Sequence, residues 1–233
     1  MSWVHKPLES PRLYNLVQRL LGAGGQPLDG VYDRGFGRSS GLVLDVGCGP
    51  VQETPLPEGT LVGLDINLGY IERYVAGGAT LETAPVSERA AETSASPRLG
   101  DAAPRCSVLG VAGSAAELPF ADETFDECRC VTVLHHLPDT LARRTLSEMD
   151  RVLKPGGTLA ILDMVRPPGV RQGLLAWILC ALDRGHHVRT GARLATMVQD
   201  QLPGAWSEES FLYAWPRLHG LLLIWRKEAL ESR

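Results

Sequence analysis

The stretch "LVLDVGCGP", Leu42 to Pro50, decides the fold. A short apolar run ends in one acid, Asp45, and two glycines follow, Gly47 and Gly49, separated by Cys48. An apolar run without alternation reads as a strand buried on both faces, the kind found in parallel sheets covered by helices. Glycines at its carboxyl end permit a tight turn and let a ligand approach the backbone. Open parallel α/β sheets bind their ligands at that end.

Working outward, four more runs of this kind follow: Thr60 to Ile66, Cys106 to Gly113, Phe125 to Leu134 and Gly156 to Met164. Between the last two, Leu141, Leu146, Met149, Val152 and Leu153 share one helical face, and Lys154-Pro155-Gly156-Gly157 ends that helix. The pattern predicts a βαβ unit. Two helix-like segments come next, "GVRQGLLAWILCALD" and "ARLATMVQDQL". Two β-rich runs then flank Pro216-Arg217-Leu218-His219-Gly220, which reads as the turn of an antiparallel hairpin. The expected fold is α/β: a Rossmann-like, mainly parallel seven-stranded sheet with helices on both faces and a C-terminal antiparallel hairpin.

Residues 1–40 read as an N-terminal helical cap segment. Its helix runs from Ser10 to Leu21, with Ser10-Pro11 at the start and Gly22 at the end, followed by a glycine-rich connector. Residues 41–233 read as one domain. Within it, residues 77–105 are rich in Ala, Ser, Thr, Glu and Pro and poor in large apolar side chains, the composition of a mobile insertion.

The bulk numbers bound the function. A net charge of -4 argues against a nucleic-acid binder, which ordinarily presents a basic face. The five cysteines are odd in number, irregularly spaced and without C-x-x-C, so neither a disulfide framework nor a zinc site is expected, and the setting reads as reducing and cytoplasmic. "MSWVHKPLESPRLYN" has no apolar core of a signal peptide, and "GLLAWILCAL" is too short to span a bilayer. Stable membrane insertion is therefore not expected, while peripheral contact stays open.

Two ligand chemistries compete for the glycine loop. A dinucleotide site takes G-x-G-x-x-G, but here the third glycine position is Gln52 and Pro50 follows Gly49. Asp45 would repel a diphosphate; it suits a ligand with cationic character, met directly or through water. The second strand ends in Asp65, and a carboxylate there can accept from both ribose hydroxyls. An acid, close-approach glycines and a ribose-binding acid describe a site for S-adenosylmethionine, which has a ribose, an adenine, an ammonium and a sulfonium but no phosphate.

At this point the chain resembles a class I S-adenosylmethionine-dependent methyltransferase of the small-molecule type that includes the ubiquinone/menaquinone C-methyltransferases. "VLDVGCGP" and "VGLDIN" resemble the first two family motifs. "GSAAELPFADETFD" (Gly113 to Asp126), "VTVLHHLPD" (Val131 to Asp139) and "EMDRVLKPGGTLAILD" (Glu148 to Asp163) resemble the next three, in order, over about half the chain. The resemblance implies S-adenosylmethionine as cofactor and S-adenosylhomocysteine as product. It implies cofactor contacts at Asp45, Gly47, Cys48 and Gly49, at Asp65 and Ile66, at Ser114 and Ala115, and at Val131 and His136. Ser114 departs from the family, which usually has Asp there; serine reaches the adenine amino group as a neutral partner.

His135 and His136 follow the fourth strand near the expected methyl position. They are the candidate catalytic residues, since histidine exchanges protons near neutral pH; a packing role is the competing reading. Asp163 ends the fifth strand at the same rim. His5, Tyr14 and Tyr32 lie in the N-terminal region, which in this family often covers cofactor and substrate, with a surface or packing role as the competing reading; the pair His186-His187 lacks acidic or cysteine partners at metal-ligand spacing and reads as an exposed loop pair. The expected substrate is a small apolar or aromatic acceptor, met by a pocket that includes residues 165–189. The rivals are a methyltransferase-fold protein that binds or regulates without catalysis, and a membrane-surface enzyme acting on a lipid or quinone. An amino-methyltransferase for nucleic-acid bases would carry N-P-P-Y where this chain has "HHLPD".

Overall fold

The computed structural model describes residues 29–36, 40–52, 54–83, 106–169, 173–174, 176–177, 180, 187–213 and 218–229. Its centre is a seven-stranded sheet. The strands are β1 (Ser40–Val46), β2 (Glu58–Asp65), β3 (Ser107–Ala112), β4 (Phe125–Val131), β5 (Leu153–Val165), β6 (Trp206–Tyr213) and β7 (Leu218–Arg226), in the spatial order β3-β2-β1-β4-β5-β7-β6. The first five pair in parallel, while β7 runs antiparallel to both β5 and β6. The order reverses between β1 and β4, and ligands of such sheets sit outside the strand ends at that switch. The expected architecture is observed.

The helices are α1 (Asp29–Gly35), α2 (Leu68–Thr83), α3 (Asp139–Val152) and α4 (Gly191–Gln201). They cover both faces. Leu44, Val46, Leu64, Cys130, Ile161 and Leu223 meet Leu146 and Met149 of α3 and Leu194 and Val198 of α4 on one face. On the other, Val43 and Leu61 meet Ile71 and Tyr74 of α2, while Leu162 and Leu222 meet Val31 of α1 and Phe36 just after it. Each strand feeds both faces, which is why the runs read as continuously apolar.

Several boundaries differ from the sequence reading. The helix ends at Val152, not at the glycines, and Leu153 to Gly157 already belong to β5. Pro155 forces Lys154 out of helical conformation, and Leu153 takes ψ 131. The fourth strand stops at Val131 because Thr132 adopts φ +55 and turns the chain. Leu218, His219 and Gly220, read as part of the hairpin turn, are strand residues of β7, and residues 214–217 lie outside the described residues. The glycine-rich connector contains a helix, α1, which packs through Val31 and Tyr32, with Phe36 just after it. The segment read as an insertion from residue 77 is helical as far as Thr83, as the end of α2. Residues 84–105 and the expected helix at 10–21 lie outside the described residues.

α2 starts at Asn67, whose side-chain oxygen accepts from the Gly69 N–H at 3.0 Å while its carbonyl accepts from Tyr70 and Ile71. It lies close to the sheet because Gly63 has no side chain. A Cβ at Gly63 would collide with the Tyr74 ring and fall 2.9 Å from the Cys48 sulfur.

Candidate active site

The loop after β1 is built by its glycines. Gly47 and Gly49 sit at φ 70 and 62, a region that side chains disfavour. The Gly47 and Cys48 N–H groups both donate to the Leu64 carbonyl, at 2.7 and 3.1 Å, which draws the loop over the end of β2. Among the described residues from 47 to 57 none is helical, and Pro50, Pro55 and Pro57 lie in that stretch. The loop therefore aims no helix N-terminus at a ligand, the feature that a diphosphate would use.

The acids around the loop take different positions. Asp65 is half-buried. Its Oδ2 accepts from Gly49 N–H at 3.2 Å and its Oδ1 from Asn67 N–H at 2.8 Å, so each oxygen keeps a lone pair for a further donor. Asp45 is 5% exposed, and its Oδ2 accepts from the Tyr74 hydroxyl at 2.8 Å. The Cys48 thiol is pushed well above its ordinary value by burial, then by the negative charges of Asp45 and Asp65. It stays a neutral thiol, not a nucleophile.

Space opens above this rim. A Cβ on Gly49 would meet nothing within 4 Å, and Ile66, next to Asp65, is 82% exposed. Ser114 is exposed, but its hydroxyl accepts from Ala116 N–H at 3.2 Å and so also serves the local turn. Ala115 is partly buried against the core. Val131 is buried beside Ala160 and Leu162 under α1.

The two histidines separate. His135 is buried, and Asp163 takes both its backbone N–H (3.0 Å) and its ring Nδ1 (2.5 Å). Asp163, 1% exposed, accepts from Met164 N–H as well. His136 is exposed, with its ring 3.9 Å from that of His135. The loop carrying them is fastened by Arg189. This buried guanidinium donates to the carbonyls of Leu134 and Leu137 at 2.7 Å each and to Asp139 at 2.9 Å. The sequence reading missed Arg189, whose partners lie 50 to 55 residues away. Tyr32 is core, packed on Phe36, and His187 is exposed. His5, Tyr14 and His186 lie outside the described residues. Among the described residues no three His, Cys, Asp or Glu side chains group as metal ligands.

The Asp139 carboxyl is held below its ordinary range, first by the Arg193 hydrogen bond and then by Arg189, against a smaller opposing effect of burial. The Glu148 carboxyl is lowered first by Arg151 and further by Leu118 N–H, with burial opposing. Both protonate less readily folded than unfolded, so their stabilisation is present above the unfolded carboxylate value of about 4 and is lost as pH falls through the folded one. The urea midpoint should stay level down to about pH 5 and fall below about pH 4. Asp139→Asn should shrink that fall only slightly, since the side chain is 46% exposed and solvent screens it. A midpoint that rises on acidification contradicts this account.

A cleft of about 510 Å³ between α3 and α4 is lined by Asp139, Arg143, Thr190, Arg193 and Met197, and shares no residue with the glycine loop. Its Arg193 is already on Asp139, and Arg143 lies 3.6 Å from Asp200.

Comparison with known proteins agrees with this geometry. Residues 44–161, just over half the chain, match the methyltransferase domain family. A probable methyltransferase of Aspergillus luteorubrus is 32% identical over 135 residues, 55% of this chain and 41% of that protein. The demethylmenaquinone methyltransferase of Desulfitobacterium hafniense is 46% identical over 63 residues, 26% of this chain and 24% of that protein. The chain thus spans less than half the length of these relatives. In structure it resembles a chain from a Haloferax volcanii complex between a methyltransferase activator and a methyltransferase, with TM-score 0.60, 14% identity and coverage of 99% and 100% of the two chains. The glycine loop, the acid ending β2 and the strand order all lie within or around the matched segment, and the chain belongs to the methyltransferase domain family.

Proposed function

We propose that the protein moves a methyl group from S-adenosylmethionine to a small apolar or aromatic acceptor. The observation that carries the reading is the rim itself. Asp65 is tied to the Gly49 N–H yet retains acceptor capacity, and the exposed Ile66 and the open space at Gly49 lie beside it. These residues fit the group. Asp65 would take the ribose hydroxyls, Ile66 and Ser114 would border the adenine, and Asp45 with Gly47 and Gly49 would face the cationic amino-acid end. When bound, the cofactor supplies an activated methyl carbon on a sulfonium.

What this chain adds is position and exclusion of water. Asp163 and Arg189 hold the residues 134–139 loop rigid from two sides, so His136 is presented at the rim by a fixed backbone. We assign His135 to positioning and His136 to proton exchange with the acceptor. Arg189 and Thr190, which follow β5 in the chain, would border the acceptor; residues 170–172, 175, 178–179 and 181–186 of the expected pocket segment lie outside the described residues.

A second reading, an acceptor held at a lipid surface, draws on Leu174 and Trp177. They stand three residues apart on helical backbone and are 57% and 36% exposed. No described helix is long and apolar enough to cross a membrane.

Calorimetric titration with S-adenosylmethionine and S-adenosylhomocysteine tests the site, followed by transfer of labelled methyl to panels of phenols, quinones and amines. Micromolar binding and label in a small product are expected. His136→Ala should turn over about 100-fold more slowly, a larger loss than its loss of cofactor affinity, if it exchanges the proton. Binding without transfer to any panel would move the noncatalytic reading forward. Transfer only with vesicles present, together with flotation, would select the lipid-surface reading.

A further inference from the structure

Tyr74 is absent from every motif of the sequence, yet it is the residue of α2 that enters the cofactor site from below. It is fully buried, and its ring occupies the space left by Gly63. Gly63 is the register partner of Asp45 across β1 and β2. The Tyr74 hydroxyl therefore passes over its glycine and donates to the carboxylate on the neighbouring strand, at 2.8 Å. The same glycine lies against the Cys48 sulfur, so ring, thiol and carboxylate are packed together directly beneath the loop from Gly47 to Gly49.

We propose that Tyr74 is a positioning residue for S-adenosylmethionine: by donating to Asp45 Oδ2 it fixes the carboxylate under the glycine loop, where the cationic end of the cofactor is read. The inference rests on the assignment of Asp45 to the cofactor. A buried carboxylate must be hydrogen-bonded to persist, and in a low-dielectric setting the direction and distance of its charge matter more than in water. A side chain with two rotatable bonds at Asp45 could turn away from the loop; the Tyr74 bond opposes that turn. The hydroxyl keeps its proton for this purpose, because burial and then the Asp45 charge push its pKa far above the ordinary phenol range. Glu127 and Arg129 lie on the same sheet face, with Arg129 the register partner of Asp45 on β4, and Asp65 stands at the adjacent strand end. Tyr74 is the neutral donor in this charged row.

The test is a double-mutant cycle read by calorimetric S-adenosylmethionine titration, with urea unfolding of each variant to establish that it is folded. Tyr74→Phe, which keeps the ring on Gly63, should weaken binding about tenfold. Asp45→Asn should weaken it at least as much, and the double variant should bind no worse than Asp45→Asn alone, since Tyr74 acts through that carboxylate. Asp45→Glu, which keeps the charge but moves it by one methylene, should also lose about tenfold, and it decides the matter if Tyr74→Phe fails to fold.

Wild-type binding by Tyr74→Phe beside weakened Asp45→Asn overturns the positioning role and leaves the cofactor site standing. Additive losses in the double variant overturn it too, because Tyr74 would then act independently of Asp45. Wild-type binding by Asp45→Glu overturns it as well. Wild-type binding by Asp45→Asn shows instead that Asp45 does not read the cofactor, and the proposal falls with that assignment.

Discussion

Asp65→Ala is expected to weaken S-adenosylmethionine binding by about 100- to 10,000-fold, as the loss of two hydrogen bonds to a charged acceptor at about 1.5–3 kcal/mol each. The carboxylate has two duties. It would take the ribose hydroxyls, and it already holds Gly49 N–H and Asn67 N–H. Alanine removes both, so the loop loses an anchor along with the ligand. Asp65→Asn keeps one acceptor oxygen and loses the charge, so its affinity should fall between wild type and alanine, near a tenfold loss. Because the ribose is common to both ligands, the loss should be the same for S-adenosylhomocysteine. Equal wild-type affinity in Asp65→Ala would remove the ribose assignment, and a loss confined to S-adenosylmethionine would place Asp65 against the sulfonium instead.

The parts of this site that could be read from the chain are those carried by local pattern. β1 and β2 are apolar runs that end in acid, and the glycines and Asp65 fall where the strands stop. The parts that could not be read depend on partners far along the chain. Tyr74 meets Asp45 across 29 residues, and Arg189 meets Leu134 across 55. Nothing within a helical or strand period marks either residue. α1 was hidden for a different reason. Its seven residues include Gly30 and Gly35 and have no helical apolar period; they are held by Val31 and Tyr32, with Phe36 just after the helix, docking on β7 and β5. One signal was available and passed over. In "FDECRCV" the charged Glu127 and Arg129 alternate with cysteines, so by strand period both must share a face. A strand buried on both sides with two charges on one of them predicts a buried ion pair.

That pair gives the largest expected effect on stability. Arg129 is completely buried. Its guanidinium donates to Glu127, to Thr54 Oγ1 at 3.2 Å and to the Pro55 carbonyl at 2.6 Å, and it lies 5.6 Å from the centre of the Phe36 ring. It joins β4, α1 and the connection that leaves the glycine loop. Arg129→Met keeps the volume but strands the Glu127 carboxylate, 5% exposed, and two oxygens in the core. Removing one partner of a buried pair costs about 3–5 kcal/mol, which at roughly 2–4 °C per kcal/mol for a chain of this size lowers Tm by about 6–20 °C. Arg129→Lys should not recover it, since a single ammonium cannot serve three acceptors at fixed angles. Arg129→Met combined with Glu127→Gln should recover part of the loss, because the stranded charge is gone. A Tm within about 2 °C of wild type in Arg129→Met would mean that water or a local shift satisfies Glu127, and the pair would then be ornamental to stability. The same substitution should reach the ligand. Thr54 and Pro55 close the loop begun at Gly47, and with their donor gone the folded variant should bind S-adenosylmethionine several-fold more weakly, linking the buried charge to the function through the backbone that both share.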